Sequence, residues 1–295
     1  MSKMQINEIQ IRRAHLPCPE CRGFNAFRFS GIVICFVWYV QVFYAQTEKI
    51  PFQNGEELNY DIRYKYGLVM LKAGTAKYRI NVTDYNESEA YQSSLLFKTT
   101  SFFDKIYKIR DTLNSYASIP YLIPLFHDRV VNEGNTHFKE ELIIREYTPE
   151  YSEVSIKRKR NEEIRFDTIL IADNLGIDIL NIFLFVRALD YSEIKKGDSF
   201  KFTTFVGKRK NNIIIRYAEQ AVIKKDGKKY KTLKLTIDVA AEAFNASKNS
   251  MEVWISDDEN KIPVRIKAKL KIGAAEADLS SYKNLKNPFD AESSR

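Results

Sequence analysis

The chain has 295 residues, with 46 Lys and Arg against 38 Asp and Glu and a net charge of +8. Hydrophobic residues make up 44% and charged residues 28%, with few Gly and Pro, which excludes collagen-like and low-complexity classes. A chain of this length buries a full core without disulfides or metals.

Residues 1–45 read as a signal peptide with an extended N-region. Arg12, Arg13, Arg22 and Arg28 precede an uncharged apolar stretch within "FSGIVICFVWYVQVFYAQ". That stretch has the length of a signal h-region and is short for a membrane helix. Ala45 supplies a small residue for cleavage, and the expected compartment is the periplasm. All three cysteines, Cys18, Cys21 and Cys35, lie in this leader. One Cys-x-x-Cys pair cannot complete a tetrahedral zinc site. A chain beginning at Gln46 carries no cysteine, which excludes thiol catalysis and suits an oxidising compartment. The leader holds five basic and two acidic residues, so 41 basic and 36 acidic residues remain, a net charge of +5. That is too mild for a nucleic-acid partner.

Residues 46–283 are expected to form a single β-rich domain, and 284–295 a loose polar tail. In "GEELNYDIRYKYG", Leu58, Tyr60, Ile62 and Tyr64 share one strand face, and Asn59, Asp61, Arg63 and Lys65 the other. Ala76, Tyr78, Ile80 and Val82 alternate in the same way with Lys77, Arg79 and Asn81. "YQSSLLFKTTS" is a third strand, "SFFDKIY" a helical turn, "KIRDTLNSYAS" a fourth strand, and "IPYLIP" a Pro-bounded extended segment. Two hairpins follow, turning at residues 132–135 and near 157–163. The period then changes: 177, 180, 184 and 188, with 179, 182, 183 and 186, follow helical spacing. The expectation is a short buried helix over 177–189, capped by Asp173 or Asn174.

Strands resume after "KKGDSFKF". Asp226-Gly227 marks a hairpin turn, after which Leu233, Leu235, Ile237 and Val239 alternate with Lys234, Thr236 and Asp238. The last hairpin is "VWISDDENKIPVRIKAKLKIG". A four-residue loop at 257–260 pairs Ile255 with Ile262, Trp254 with Pro263, Val253 with Val264 and Glu252 with Arg265. "DDEN" is too compact for a calcium loop and lacks its Gly, so it reads as turn chemistry. Arg265, Lys267, Lys269 and Lys271 form a basic ladder, either a solvated outer face or a surface for anionic glycans or lipid headgroups. The pattern as a whole is mainly β: a large antiparallel curved sheet or partly closed barrel of about a dozen strands with one short buried helix. A faint echo between "GEELNYDI" and "GDSFKFTT" suggests two similar half-sheets flanking that helix.

Chemistry-bearing residues are sparse. His127, Glu133 and His137 form a His-x5-Glu-x3-His arrangement across a hairpin, without the helical His-Glu-x-x-His of a zinc protease. Ser101, Asp104 and His127 can be drawn as a triad, though any chain this long allows such drawings. Arg110 and Asp111 are adjacent on a strand and point to opposite faces. Asn81, Asn86 and Asn245 begin glycosylation tripeptides. No nucleophile elbow, P-loop or dinucleotide loop is present. No catalytic residue, metal or cofactor is assigned.

Four segments, "GEELNYDIRYKYGLVMLKAGTA", "KIYKIRDTLNSY", "FLFVRALDYSEIKKGD" and "VWISDDENKIPVRIKAKLKIGAAEADLSSY", together resemble the exported bacterial domain-of-unknown-function family 3108. The resemblance covers about residues 50–283. Its most specific part is Trp254, Ser256-Asp257-Asp258, Ile262-Pro263-Val264 and Gly273 in that order. It implies a secreted, β-rich protein of the Gram-negative envelope, with a curved sheet related to capsule-assembly and lipoprotein-carrier proteins. It carries over no catalytic residue. The expectation is a non-enzymatic periplasmic protein holding an amphipathic ligand, or a partner in envelope assembly, on an aromatic concave face. Candidate liners are Tyr60, Tyr64, Tyr78 and Phe97. Candidate partners are a lipid, a glycan or an envelope protein, with peripheral membrane contact. Alternatives are an envelope scaffold and, further off, a hydrolase built on His127 and His137.

Overall fold

A computed structural model describes residues 50–148, 151–173, 176–239 and 250–293. The expected signal peptide and cleavage point, the three cysteines, Asn174 and the tripeptide at Asn245 lie outside the described residues. Strands β1 (Glu56–Tyr66), β2 (Val69–Tyr85), β3 (Ser88–Thr99), β4 (Arg110–Ser118), β5 (Pro124–Glu133), β6 (Thr136–Thr148), β7 (Tyr151–Arg160) and β8 (Glu163–Ala172) form the first run. A four-residue helix, α1 (Ser101–Asp104), interrupts it between β3 and β4, and α2 (Ile179–Ala188) ends it. The second run is β9 (Ser199–Val206), β10 (Arg209–Lys225), β11 (Lys228–Val239), β12 (Met251–Ser256), β13 (Pro263–Lys269) and β14 (Ala274–Lys283), with a short β15 (Glu292–Ser293).

All strands join one antiparallel sheet. The order runs β8 back to β1, then β14 back to β9, with β15 added to β11. The long-range pairing is β1 with β14, through Asp61–Asp278 and Tyr64–Ala275 among others. It joins the two half-sheets into one nearly closed barrel. The seam closes near β9. Gly176 forms a parallel bridge to Thr203, and the amide of Ile177 donates to the Thr203 carbonyl at 2.9 Å. Phe205 packs there against Leu142, Val154 and Ile156. A Cβ on Gly176 would stand 2.9 Å from the Phe205 ring, so glycine permits the approach. Glu140, buried on β6, accepts from Arg129, from Arg158 and from the amide of Gly207 in the β9–β10 turn.

Because sequential strands pair antiparallel, the turns sort to two ends. The β1–β2, β3–β4, β5–β6, β9–β10 and β13–β14 connections share one end, here called the rim. The N-terminal lead-in, α2 and the β12–β13 loop share the other, the base.

Helix α2 fills the base. Leu180 and Leu184, one turn apart, pack with Leu58, Tyr60, Tyr78 and Ile80 of the first half-sheet. Ile182 and Val186 pack with Ile213, Ile215, Leu233 and Leu235 of the second. The helix therefore needs apolar residues nearly all round, as its spacing indicated. It starts later than expected: Asp178 is the N-cap, accepting from the amides of Leu180 and Asn181, in place of Asp173 or Asn174.

Two expectations are corrected. The last hairpin has a longer loop and a bulge. β12 ends at Ser256 and β13 begins at Pro263, so the connection spans 257–262, and the Ser256 amide donates to the Ile262 carbonyl across it. Ile255 pairs with Pro263, and Val264 is then skipped, so that Trp254 meets Arg265 and Val253 meets Ile266. Asp258 sets this loop by accepting from Ser256 Oγ and from the amides of Asn260 and Lys261. The tail is also packed, not loose, over residues 284–293. The Phe289 ring packs at a tilt against Tyr282 and Tyr230, Ala291 is buried, and β15 pairs with Lys229 and Tyr230. The same loop binds it: Asn260 Nδ2 donates to the carbonyls of Asn287 and Pro288, and Ala291 donates to Asp258.

Candidate functional site

The barrel interior divides into a packed base and a looser upper half. At the base the inward residues Leu58, Tyr78, Ile80 and Ala117 are fully buried. Further along the same inward faces, Ile62, Leu95, Phe97 and Leu113 are only half-buried. Strand alternation dictates that they point inward. Their residual exposure means that the interior opens towards the rim above α2.

Polar groups form the floor of this opening, at the N-terminus of α2. Ser115 on β4 and His127 on β5 are cross-strand partners facing inward. Ser115 Oγ donates to Asp178 Oδ2 at 2.8 Å, and Asn181 Nδ2 donates to the same oxygen at 2.7 Å. His127 Nδ1 stands 3.6 Å from Asp178 Oδ1, beyond hydrogen-bonding range. Two buried atoms, His127 Nδ1 and Asn181 Oδ1, have no hydrogen-bond partner. Unused capacity in a buried site is costly unless something fills it. Serine and histidine each address a different oxygen of one aspartate. Ser115 Oγ donates to the carboxylate, where in a serine-hydrolase relay the hydroxyl donates to an imidazole. One wall carries charge: Arg129 and Arg158, both half-buried, share the single carboxylate of Glu140, and Arg158 lies 4.1 Å over the Phe138 ring.

The residues singled out from sequence separate into three groups. Tyr60 and Tyr78 belong to the packed base, where Tyr60 donates to the Pro263 carbonyl and Tyr78 to Ser93 Oγ. Burial pushes both phenols far above their ordinary pKa. Tyr64 and Phe97 lie higher on the inward faces, and the Tyr64 hydroxyl donates to the Ile272 carbonyl. The basic ladder is divided on the outer face. Arg265 binds Asp278 at 2.6 Å, and Lys267 binds Glu276 at 3.2 Å beside Trp254. Lys269 and Lys271 alone of the four are exposed, at the rim.

The histidine sets do not assemble. His137 meets Asn132 across the β5–β6 turn, while His127 faces Asp178. His127 and Glu133 are six positions apart on one strand, roughly 20 Å. Asp104 is taken by Arg110 and Thr99, which hold its carboxyl below the usual range, so Ser101, Asp104 and His127 form no triad. Among the described residues no three His, Cys, Asp or Glu side chains cluster as metal ligands.

Sequence reasoning missed Arg187, whose side chain is fully buried. It makes a two-pronged pair with Glu56 and donates from Nε and Nη2 to the Asn260 carbonyl. A single cation in an apolar helix was the available signal, since a buried charge demands a partner.

No curated protein matches this chain. Among solved structures, a β-barrel-like protein of domain-of-unknown-function family DUF1849 from Brucella abortus aligns with a TM-score of 0.51 and 8% identity, over 80% of this chain and all of that one. A candidate exported protein with a YmcC-like fold from Bacteroides fragilis aligns with a TM-score of 0.35 and 9% identity, over 79% of this chain and 98% of that one. The first likeness supports the barrel-like fold, with no bearing on activity. The family model of the protein of unknown function DUF3108 matches residues 59–280, and the chain belongs to that family.

Proposed function

We propose that this protein is an exported, non-enzymatic carrier or receptor of the periplasm that holds an amphipathic ligand in the upper half of its barrel. The leader at residues 1–45 supports export. The observation that carries the binding reading is the contrast within one set of inward faces: sealed apolar packing at the base, half-buried apolar side chains above a polar floor with two unused hydrogen-bonding atoms. An apolar concavity with a few convergent polar groups is the common form of a small-molecule site. An acyl or similar chain would lie against Phe97, Leu95 and Leu113, with its polar end at the floor or at the Arg129–Arg158 wall.

Organic extraction of the purified protein followed by mass spectrometry is the direct test, with titration of a fluorescent fatty acid as a second measurement. The expected result is a copurifying amphiphile, and probe binding that Phe97→Asp or Leu113→Asp weakens at least tenfold. A folded protein that carries no amphiphile and binds no probe would overturn the reading, as would binding that neither substitution affects.

A further inference from the structure

The rim carries apolar side chains that the interior does not use. The β1–β2 hairpin turns at Gly67 and Leu68, and Leu68 is 103% exposed. Val69, Met70 and Leu71 follow it, all exposed. Pairing between β2 and β3 ends at Gly74–Thr99. On that side the hairpin runs about 20 Å past β3, at roughly 3.3 Å per residue, while β1 stays paired with β14 as far as Lys65–Ala274 and the turn beyond stands clear of both. Two neighbouring connections add to it. Phe102 and Ile106, 58% and 69% exposed, stand on the α1 segment, and Ile272, 67% exposed, stands on the β13–β14 turn.

This surface is held in place. The Thr100 amide donates to the Ala73 carbonyl, and the Gly134 amide to the Lys108 carbonyl. Tyr64 ties down Ile272 through its carbonyl. Gly273, at φ +74°, lies so close to β1 that a Cβ there would sit 2.3 Å from the Lys65 carbonyl oxygen. The framework thus presents the apolar groups outward instead of letting them fold back.

Two features identify the occupant. First, four consecutive apolar residues, 68–71, place apolar side chains on both faces of the projecting hairpin. A protein partner packing on one face would require alternation with polar residues on the other. An all-round apolar tip matches a medium that surrounds it. Second, the charge is one-sided. Lys65, Lys72, Lys105, Lys108, Lys269 and Lys271 are all exposed on these three connections. The acids beside them are engaged, Asp104 by Arg110 and Asp61 by Lys72, and among the described residues the other five lysines have no carboxylate partner. Apolar tips backed by lysines fit the boundary between acyl chains and anionic headgroups, where long amines remain in the polar layer.

We propose that the rim docks on an anionic lipid bilayer, with the 66–71 hairpin tip entering the headgroup boundary and the lysines contacting headgroup phosphates. The proposal goes beyond the ligand reading and rests on different residues, so either can fail alone. It also orients the molecule, with the open end of the barrel towards the membrane and the α2-filled base away from it.

The test is co-sedimentation of the protein with phosphatidylcholine vesicles, with and without phosphatidylglycerol, alongside sedimentation velocity without lipid. Binding is expected on the anionic vesicles, at least tenfold weaker on the neutral ones, and reduced by added salt. Leu68→Asp with Ile106→Asp should lower anionic binding at least tenfold, and Lys105→Glu with Lys108→Glu should lower it severalfold. Ile169→Asp, at an exposed apolar position on β8, should leave it unchanged. All these positions are exposed, so unchanged far-ultraviolet circular dichroism is the folding control. Absence of vesicle binding, or binding insensitive to the Leu68 and Ile106 changes, would overturn the proposal. So would a dimer in solution that Leu68→Asp converts to monomer, because the tip would then be covered by a second copy.

Discussion

Replacing Arg187 by methionine tests how the base of the barrel is held. The guanidinium and the Glu56 carboxylate are both fully removed from solvent, joined at 2.5 and 3.0 Å. Two further donations reach the Asn260 carbonyl at 3.1 and 3.0 Å. Phe52 and Phe183 lie 5.2 and 5.8 Å from the cation. Methionine preserves most of the volume and removes every one of these bonds. Glu56 is then left as a buried carboxylate with no counter-charge, a situation that costs about 3–5 kcal/mol. For a domain of this size that corresponds to a fall in melting temperature of about 6–20 °C. Urea unfolding followed by tryptophan fluorescence measures the loss.

The double variant Arg187→Met with Glu56→Gln supplies the decisive comparison. A neutral amide is far cheaper to bury than an isolated carboxylate, so the second change should restore a large part of the stability. If the single variant loses less than about 1 kcal/mol, or if Glu56→Gln fails to recover any of the loss, the pair does not anchor α2 as argued.

Other consequences follow from the same contacts. Asn59 and then Arg79 hold the Glu57 carboxyl at about 2, below its ordinary 4.5. Its contribution is therefore complete above pH 4.5 and lost as pH falls towards 2, and Glu57→Gln should flatten the stability profile across that window in acid titration. Deleting residues 285–295 should cost about 3 kcal/mol or more in urea unfolding, because Leu285, Phe289 and Ala291 leave the core and Asn260 loses its carbonyl partners; a truncation with no effect would return the tail to the loose state read from its composition. Asp178→Ala removes the α2 cap and leaves Ser115 Oγ without its acceptor, an expected loss of about 2–4 kcal/mol, with faster amide exchange in the first turn of α2 as the local signature.

Local periodicity explains what was legible in the sequence. The alternation Leu58–Tyr60–Ile62 and the helical spacing over 177–189 each encode a face, and each face found the expected side of the core. The Asp226-Gly227 turn was readable for the same reason, since its backbone demand is local. The register of the last hairpin was not. Every cross-strand apolar match held for a tight loop, but Asp258 and Ser256 consume the amides of residues 260–262 and lengthen it, and the bulge at Val264 follows. The outer basic ladder looked like a surface because its neutralising acids, Glu276 and Asp278, come from the next strand. Arg187 with Glu56, and Asn260 with the tail, join positions 131 and 27 residues apart. No window of local sequence contains both partners of the first pair, so only the lone charge in an apolar helix pointed to it.

The contacts that hold the fold are distributed unevenly along the barrel axis. At the base, β1, α2, the β12–β13 loop and the tail converge on Arg187 and Asn260, through Glu56, the Asn260 carbonyl and the carbonyls of Asn287 and Pro288. Such a cluster forms only when all four segments are present, which makes it cooperative and rigid. At the rim, six exposed lysines and the apolar tips of three connections bear almost none of that load. Substitution there should change what the protein touches far more than whether it folds, and substitution at the base should do the reverse. The polar floor at Asp178 is the point where the two regions meet. It caps the helix that seals the base, and it faces the half of the interior that opens to the rim. A ligand that used His127 Nδ1 or Asn181 Oδ1 would therefore act on the N-terminus of α2, and its occupancy should appear as added protection of that turn from amide exchange.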